Sequence, residues 1–223
     1  MIKMGRRIGV MLSGCGVKDG TEVHEAVLTL LEIDRQGSES LCIAPQRDQH
    51  HVVNHLDGSE LKRQKRDVLE ESARIARGDI TRIENVGAND IDGLIFPGGL
   101  GAAKNLSDYA LKGREMTVIP EAERLIREMH DSRKPMGFIC VAPLLAARVL
   151  GEYSPSLTVG NDGKEADVMD SFGARHAVRA VNEIETDVEN LLVSTPAYMM
   201  ETGIAGIAEG IGKLVSKVIE LCG

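Results

Sequence analysis

The sequence predicts an α/β protein, specifically a three-layer α/β/α sandwich built on a mostly parallel sheet. Two observations lead to this fold class. Short apolar runs typical of buried strands alternate with amphipathic helical patterns along nearly the whole chain, and strands joined through helices form parallel βαβ units. The chain has 223 residues, of which 43% are hydrophobic, which is enough for one buried core. We therefore expect a single domain over residues 1–223.

The first units of this alternation lie at the N-terminus. The apolar run at 8–12 predicts a buried strand rather than a signal peptide, because it is short and lacks a cleavage pattern. A helix is predicted over 21–36, where apolar residues follow the spacing of one helix face: Val23, Ala26, Val27, Leu30 and Leu31. Gly37 ends that helix, and 40–44 is a second strand that stops at Pro45.

The middle of the chain continues the pattern with one interruption. A small inserted hairpin is predicted near 50–62, because Asp57-Gly58 is a typical two-residue turn. The elements predicted after it are a helix at 67–77, strands at 80–86 and 94–96, a helix starting after Gly101, and a helix from Pro120 to about 132.

The last part of the chain returns to strands and helices in turn. The predicted elements are a strand at 136–139, a helix reaching Leu150, a strand at 157–159, a helix near 165–172, a hairpin-like pair at 183–187 and 190–194, and a final helix from about 201.

Charge and composition argue against several classes of function. The formal net charge is −8, and the densest basic run, KRQKR at 62–66, is flanked by Glu60 and Asp67. We therefore expect no binding to nucleic acid or to anionic membranes. No stretch approaches the ~18 apolar residues of a membrane span. His50, His51 and His55 fall in the inserted hairpin, where solvated histidines are expected.

The four cysteines predict neither a metal centre nor a disulfide framework. They lie at positions 15, 42, 140 and 222 without a C-x-x-C pair or a repeated spacing. Reduced cysteines are typical of the cytosol, so a cytoplasmic location is expected. We also expect that the protein binds no metal.

Three predicted strands end in unusual residues: SGCG after the first, PGGLG after the fourth and ICVAP after the fifth. Parallel sheets bind ligands beyond the carboxyl ends of their strands, so these ends should meet at one crevice. Cys140 lies between a strand and a helix, at a turn that exposes its side chain, and the helix N-terminus favours its thiolate. Gly98 and Gly99 form a turn whose N–H groups suit an oxyanion. Cys15, in a Gly-flanked loop, is a weaker rival nucleophile.

A reactive thiol needs a partner that moves protons. The acidic candidates near the first strand end are Glu22 and Glu25. Glu22 follows Asp19 at the spacing of a capping box and could be occupied at the helix start. Glu25 is then freer, although a regular helix would place it opposite the apolar stripe, where carboxylates are solvated. His24 is a further candidate, and its direction is not fixed by the sequence.

Four long motifs resemble one known family: SGCGVKDGTEVHEAVLTL, PGGLGAAKNLSDYA, KPMGFICVAP and STPAYMMETGIAGIAEGIGKLV. The chain resembles the enhancing-lycopene-biosynthesis (sigma cross-reacting) proteins, a glyoxalase-like branch of the PfpI and Parkinson-associated deglycase superfamily, which is related to class I glutamine amidotransferase domains. The resemblance implies a flavodoxin-like sandwich with Cys140 at the nucleophile elbow and Glu25, rather than Glu22, as its acidic partner. It also implies an oxyanion pocket formed by Gly98, Gly99 and the N–H of Val141, and a homodimer.

The resemblance implies a cofactor-independent glyoxalase that converts glyoxal or methylglyoxal to glycolate or lactate. Many members of the superfamily carry a histidine after the strand that follows the elbow helix, where this chain reads LTVGND. A cysteine hydrolase or amidotransferase is therefore disfavoured. The alternative from another class is a non-catalytic redox or carbonyl-stress accessory protein linked to isoprenoid biosynthesis, with Cys140 as an oxidisable switch.

Overall fold

The structure is a computed structural model, and it describes residues 5–161 and 163–223. The strands are β1 Arg7–Met11, β2 Glu39–Ala44, β3 Thr81–Arg82, β4 Gly93–Phe96, β5 Met136–Ile139, β6 Ser156–Leu157, β7 Arg175–His176, β8 Glu185–Asp187 and β9 Leu192–Thr195. The helices are α1 Val23–Arg35, α2 Val68–Ile75, α3 Leu100–Lys104, α4 Tyr109–Lys112, α5 Pro120–Asp131, α6 Pro143–Leu150, α7 Gly163–Ser171 and α8 Ile204–Leu221.

Seven strands form one sheet in the order β3-β2-β1-β4-β5-β9-β8. All neighbouring pairs are parallel except β8 with β9, so the predicted C-terminal hairpin and the mostly parallel sheet are confirmed. The strand β1 pairs with both β2 and β4, so strand order reverses there. A ligand crevice is expected beside such a reversal, at the carboxyl ends of the strands.

Helices cover both faces of the sheet, which confirms the three-layer arrangement. Alternate residues of the strands point to opposite faces. On one face Ile8 and Val10 pack with α1 and α8 in one apolar cluster. On the other face Phe96 and Phe138 stack with ring centroids 4.9 Å apart, within a cluster that includes α5 and α6.

Some elements are shorter than the sequence pattern predicts. The strand expected at 80–86 is reduced to Thr81–Arg82 and continues as a single 3₁₀ turn, Ile83–Asn85. The inserted hairpin near 50–62 has one antiparallel bridge, between Val53 and Glu60, and no regular strand among the described residues. In both places the chain leaves the sheet edge, so few ladder hydrogen bonds hold it extended.

The helix α1 is turned differently from the prediction. Its buried residues are Glu25, Ala26, Thr29 and Ile33. Three members of the predicted core stripe are solvent-exposed instead: Val23 by 36%, Val27 by 49% and Leu31 by 38%. The expectation that Glu25 lies on the solvated face is therefore wrong, and an apolar stripe remains on the surface.

No helix within residues 5–161 and 163–223 is both long and apolar enough to cross a membrane.

Candidate active site

Cys140 occupies the predicted elbow between β5 and α6. Its backbone φ of +63° lies in the left-handed region that residues with a side chain rarely adopt. The turn is fixed by a 3.0 Å hydrogen bond from its N–H to the Thr195 carbonyl, and Pro143 opens the following helix. The strained strand-to-helix turn inferred from the sequence is present.

The sulfur is less accessible than the sequence suggests. Cys140 is only 8% exposed and packs within the apolar cluster beneath α1 and α8. Burial, and next the charge of Glu25, raise the pKa of the thiol well above its usual value, while the N–H groups of Gly99 and Val141 act in the opposite direction. The expectation that the helix N-terminus makes this thiol acidic is therefore wrong, because desolvation dominates.

Glu25 is the carboxylic acid that faces the thiol. Its side chain is fully buried, and its Oε2 accepts a 2.8 Å hydrogen bond from the Gly98 N–H. Burial, reinforced by the charge of Glu22, raises its pKa from 4.5 to about 8, although Gly98, the Cys140 thiol and the Tyr198 N–H favour the ionised form. Its other oxygen, Oε1, is buried without a hydrogen bond of ordinary geometry and is available to take a proton.

Glu22 serves as the N-cap of α1. Its Oε2 accepts a 2.7 Å hydrogen bond from the Glu25 N–H, so its side chain is occupied at the helix start. Asp19 is not the cap, because its Oδ2 accepts a 2.7 Å hydrogen bond from the Val53 N–H instead. The structure therefore separates the two glutamates: Glu22 holds the helix end, and Glu25 faces the thiol.

The two other auxiliary candidates lie outside this pair. His24 is on the exposed side of α1, where its Nδ1 is 2.7 Å from the Tyr198 hydroxyl. Cys15 is half-buried in its glycine-flanked loop, and burial followed by the charge of Glu71 raises its pKa. Neither is among the groups that shift the pKa of Cys140.

The two glycines after β4 have different positions at the site. The N–H of Gly98 is taken by the Glu25 carboxyl, so this residue holds the acid in place. Gly99, with a φ of +93°, directs its N–H toward the sulfur, as Val141 does. A β-carbon on Gly98 would lie 2.5 Å from the Cys140 β-carbon, so the turn also requires a residue without a side chain.

Tyr198 is a site residue that the sequence pattern does not single out. Its N–H interacts with the Glu25 carboxyl, and its hydroxyl bonds His24. It follows Ala197, whose φ of +44° is left-handed. The motif STPAYMM contains both residues. Its composition does not predict a left-handed turn, because neither residue is glycine or asparagine.

The described residues include no group of three or more metal-binding side chains. The segment 157–160, where the superfamily often carries a histidine, is buried, and the Thr158 N–H donates to Ser194 Oγ at 2.9 Å. The described groups that act on the pKa of the Cys140 thiol are Glu25, Gly99 and Val141, and no histidine is among them. The site therefore consists of a thiol, a carboxyl group and backbone N–H donors.

A mostly parallel sheet with a cysteine at a left-handed elbow defines a class I glutamine amidotransferase-like fold, which DJ-1/ThiJ/PfpI proteins share. Two curated relatives are the human glutamine amidotransferase-like class 1 domain-containing protein 3, 45% identical, and the rat ES1 protein homolog, 44% identical. Each match covers 97% of this chain and 84% of the relative. The chain belongs to the ES1 protein family.

Solved structures share the fold of this chain. An isoprenoid biosynthesis protein with an amidotransferase-like domain from Ehrlichia chaffeensis is 32% identical, with a TM-score of 0.88 over 96% of this chain and 99% of that one. A DJ-1 superfamily protein from Salmonella typhimurium is 17% identical, with a TM-score of 0.57 over 96% of this chain and 91% of that one. The second likeness concerns the fold alone. No protein-family model matches the chain.

The expectation of a cytoplasmic location is contradicted. The curated relatives from human, rat and Danio rerio all carry names that place them in mitochondria. The argument from reduced cysteines fails because it separates reducing from oxidising compartments and does not distinguish among the reducing ones.

Proposed function

We propose that the protein is a cofactor-independent glyoxalase that converts methylglyoxal to lactate and glyoxal to glycolate. The observation that carries this proposal is the burial of Glu25 against the Cys140 thiol, with the pKa of the carboxyl raised to about 8. A general base whose pKa is near the working pH transfers protons in both directions efficiently. The superfamily contains enzymes with such cysteines, and the substrate class comes from the resemblance.

The protonation state of the pair sets the first step. Below about pH 8 both groups are neutral, and loss of one proton leaves Glu25 as a carboxylate beside the thiol. That carboxylate takes the thiol proton as sulfur bonds the aldehyde carbon. The carbonyl electron pair moves to oxygen, which is stabilised by nearby N–H donors such as those of Gly99 and Val141 and then receives the proton. The product is a hemithioacetal.

Glu25 then moves a second proton. It removes the proton on the sulfur-bearing carbon, which gives an enediolate, and returns it to the neighbouring carbon, while the hydroxyl proton of the first carbon moves to the oxygen of the second. The first carbon is thereby oxidised to a thioester while the second is reduced to an alcohol, so no external oxidant or reductant is needed. Water cleaves the thioester, releasing the hydroxy acid and restoring the Cys140 thiol.

Among the described residues, the groups that act on the thiol include no histidine, which is consistent with this reaction. In hydrolysis of an amide, the leaving amine must be protonated, and imidazole commonly does this. Isomerisation of a hemithioacetal has no amine leaving group, so one carboxyl suffices. A cysteine hydrolase or amidotransferase is correspondingly less well supported.

The test is lactate formation from methylglyoxal by purified protein without added thiols. Cys140→Ser should lower kcat/KM at least a thousandfold, since a serine hydroxyl is a far weaker nucleophile at this pH. Cys15→Ser is the matched control and should keep activity within twofold. Equal lactate production by the Cys140→Ser protein would contradict the proposal.

A second candidate function is favoured by the low accessibility of the Cys140 thiol. At 8% exposure and with a raised pKa, Cys140 is protected from reagents, as a structural thiol would be. A non-catalytic accessory role in isoprenoid biosynthesis is suggested by the name of the Ehrlichia relative. The same burial opposes an oxidisable switch, which requires an accessible thiolate. Absence of aldehyde turnover in the wild-type protein would favour this accessory role.

A further inference from the structure

A second concave site lies beside the C-terminal end of α3. It is a groove of about 280 Å³ between the segment that follows β2, the end of α3 and the loop that precedes α5. Its lining includes Arg47, His50, Lys104, Ser107 and Thr117. None of the residues proposed for the thiol chemistry lines it.

The groove gathers positive charge in a protein whose net charge is −8. Arg47 and His50 are exposed, and within residues 5–161 and 163–223 neither side chain has an acidic partner. The Lys104 amine donates one 3.0 Å hydrogen bond, to the Lys18 carbonyl, and keeps two hydrogens for other acceptors.

The carboxylates near this groove do not neutralise it. Asp108, which also lines it, is already bonded by the N–H and hydroxyl of Thr117 at 2.6 and 3.0 Å and by the Lys112 amine at 2.7 Å. Asp19 and Glu60 act on Lys104, but burial lowers the pKa of its amine by more than these two charges raise it. The Arg47 guanidinium forms no ion pair among the described residues.

The walls of the groove are held in place by Asn105. Its Oδ1 accepts a 3.0 Å hydrogen bond from the His50 N–H, and its Nδ2 donates to the carbonyls of Ser13 and Asp19 at 2.8 Å each. Because Asn105 is buried, these bonds fix the His50 backbone relative to α3. A groove whose backbone is already held in place binds a ligand with less cost of reorganisation.

We propose that this groove binds a small doubly charged oxyanion, such as a phosphate monoester or a dicarboxylate. Arginine, lysine and histidine are the side chains that donate charge-assisted hydrogen bonds to such groups. The volume is near the lower end of ligand pockets, which suits a small metabolite. The site is independent of the thiol chemistry proposed above.

The test is calorimetric titration at constant ionic strength with inorganic phosphate, a phosphate monoester (glycerol phosphate) and succinate. Wild-type protein should bind at least one of these saturably, and the order of affinities distinguishes a phosphate from a dicarboxylate ligand. Arg47→Gln should weaken binding at least fivefold. Arg63→Gln removes an exposed arginine outside the groove, and should change the affinity by less than twofold.

Two results would overturn the proposal. One is the absence of saturable binding of all three anions by the wild-type protein. The other is equal weakening by the two arginine substitutions, which would indicate general electrostatic attraction only. Equal melting temperatures of the three proteins without ligand establish that each variant is folded.

Discussion

At the scale of single residues, the site depends on two weak acids that are buried from solvent, the Cys140 thiol and the Glu25 carboxyl. The negative charge of an ionised Glu25 and burial both raise the pKa of Cys140. The carboxyl therefore ionises before the thiol, and the thiol keeps its proton until a substrate accepts the sulfur. In the proposed reaction, burial of both groups makes Glu25 the base and Cys140 the nucleophile it activates, whereas an exposed cysteine would ionise on its own.

Glu25 should make the protein less stable as the pH rises. Its pKa is about 8 in the folded protein and 4.5 as an ordinary carboxyl, so its stabilising effect is fully present below pH 4.5 and is lost as pH rises through 8. We expect Glu25→Gln to remove this dependence, a difference of about 3 to 5 kcal/mol between pH 4.5 and pH 9. Urea unfolding at several pH values measures it.

Glu70→Gln is the control for this measurement. Glu70 is exposed on α2, and its loss should leave the pH dependence of the wild-type free energy of unfolding unchanged. A wild-type protein whose stability does not fall between pH 5 and pH 9, relative to Glu25→Gln, would contradict the high pKa.

The identity of Cys140 was accessible from the sequence, because a short apolar strand followed directly by cysteine and a proline-initiated helix predicts an elbow. The low exposure of Cys140 could not be predicted from the sequence. Cys140 shares an apolar cluster with Ala197 and Tyr198, which lie 57 and 58 positions further along the chain. Local pattern carries no information about such a distant covering segment.

At the scale of elements, the 3₁₀ turn Ala197–Met199 belongs to the same apolar cluster as Cys140. The hydrogen bond between Tyr198 and His24 ties this turn to α1 across 174 positions of sequence. Substrate must displace a neighbouring segment to reach the sulfur, because Cys140 as a residue is only 8% exposed. We expect this turn to be the part that moves.

Tyr198→Phe should speed access to Cys140. Loss of one hydrogen bond, worth about 1 kcal/mol, should raise alkylation of Cys140 by iodoacetamide about fivefold. Peptide mass spectrometry separates Cys140 from the other cysteines. Tyr153→Phe, a partly exposed tyrosine that contacts His130, is the control and should label at the wild-type rate. Unchanged labelling in Tyr198→Phe would show that another segment covers the sulfur.

The prediction for α1 was correct in extent and wrong in orientation. Helical periodicity places Val23 and Val27 together on one face but does not say which face meets the sheet. The buried N-cap of Glu22 and the bond from Gly98 to Glu25 turn the helix so that a carboxyl points inward. The contacts of the candidate site have overridden the apolar pattern of the helix, as is common at functional sites.

At the scale of the whole molecule, order and type of most strands and helices followed from the sequence. The central strands β1, β4 and β5 were predictable because they are continuous apolar runs buried on both faces. The edge strand β3 and the segment near 50–62 were not, since edge backbone takes its shape from contacts made far along the chain, such as the bridge between Asp48 and Asp67.

We propose that the homodimer implied by the resemblance forms through the exposed stripe of α1. Val23, Val27 and Leu31 recur at four-residue spacing, so an antiparallel second copy would place Val23 against Leu31 and Val27 on the two-fold axis. We expect Val27→Glu to convert a dimer to a monomer in light scattering. Val178→Glu, at a residue 64% exposed outside α1, should stay dimeric. A monomeric wild-type protein would contradict the homodimer.

The left-handed backbone of Cys140 has a consequence for how the sequence can vary. With a φ of +63°, any residue that carries a β-carbon is under conformational strain at this position, by about 1 kcal/mol or more. Glycine alone would relax it, and glycine has no sulfur. The proposed reaction therefore requires cysteine at position 140, whereas the stability of the backbone favours glycine there. The two requirements oppose each other at this one position.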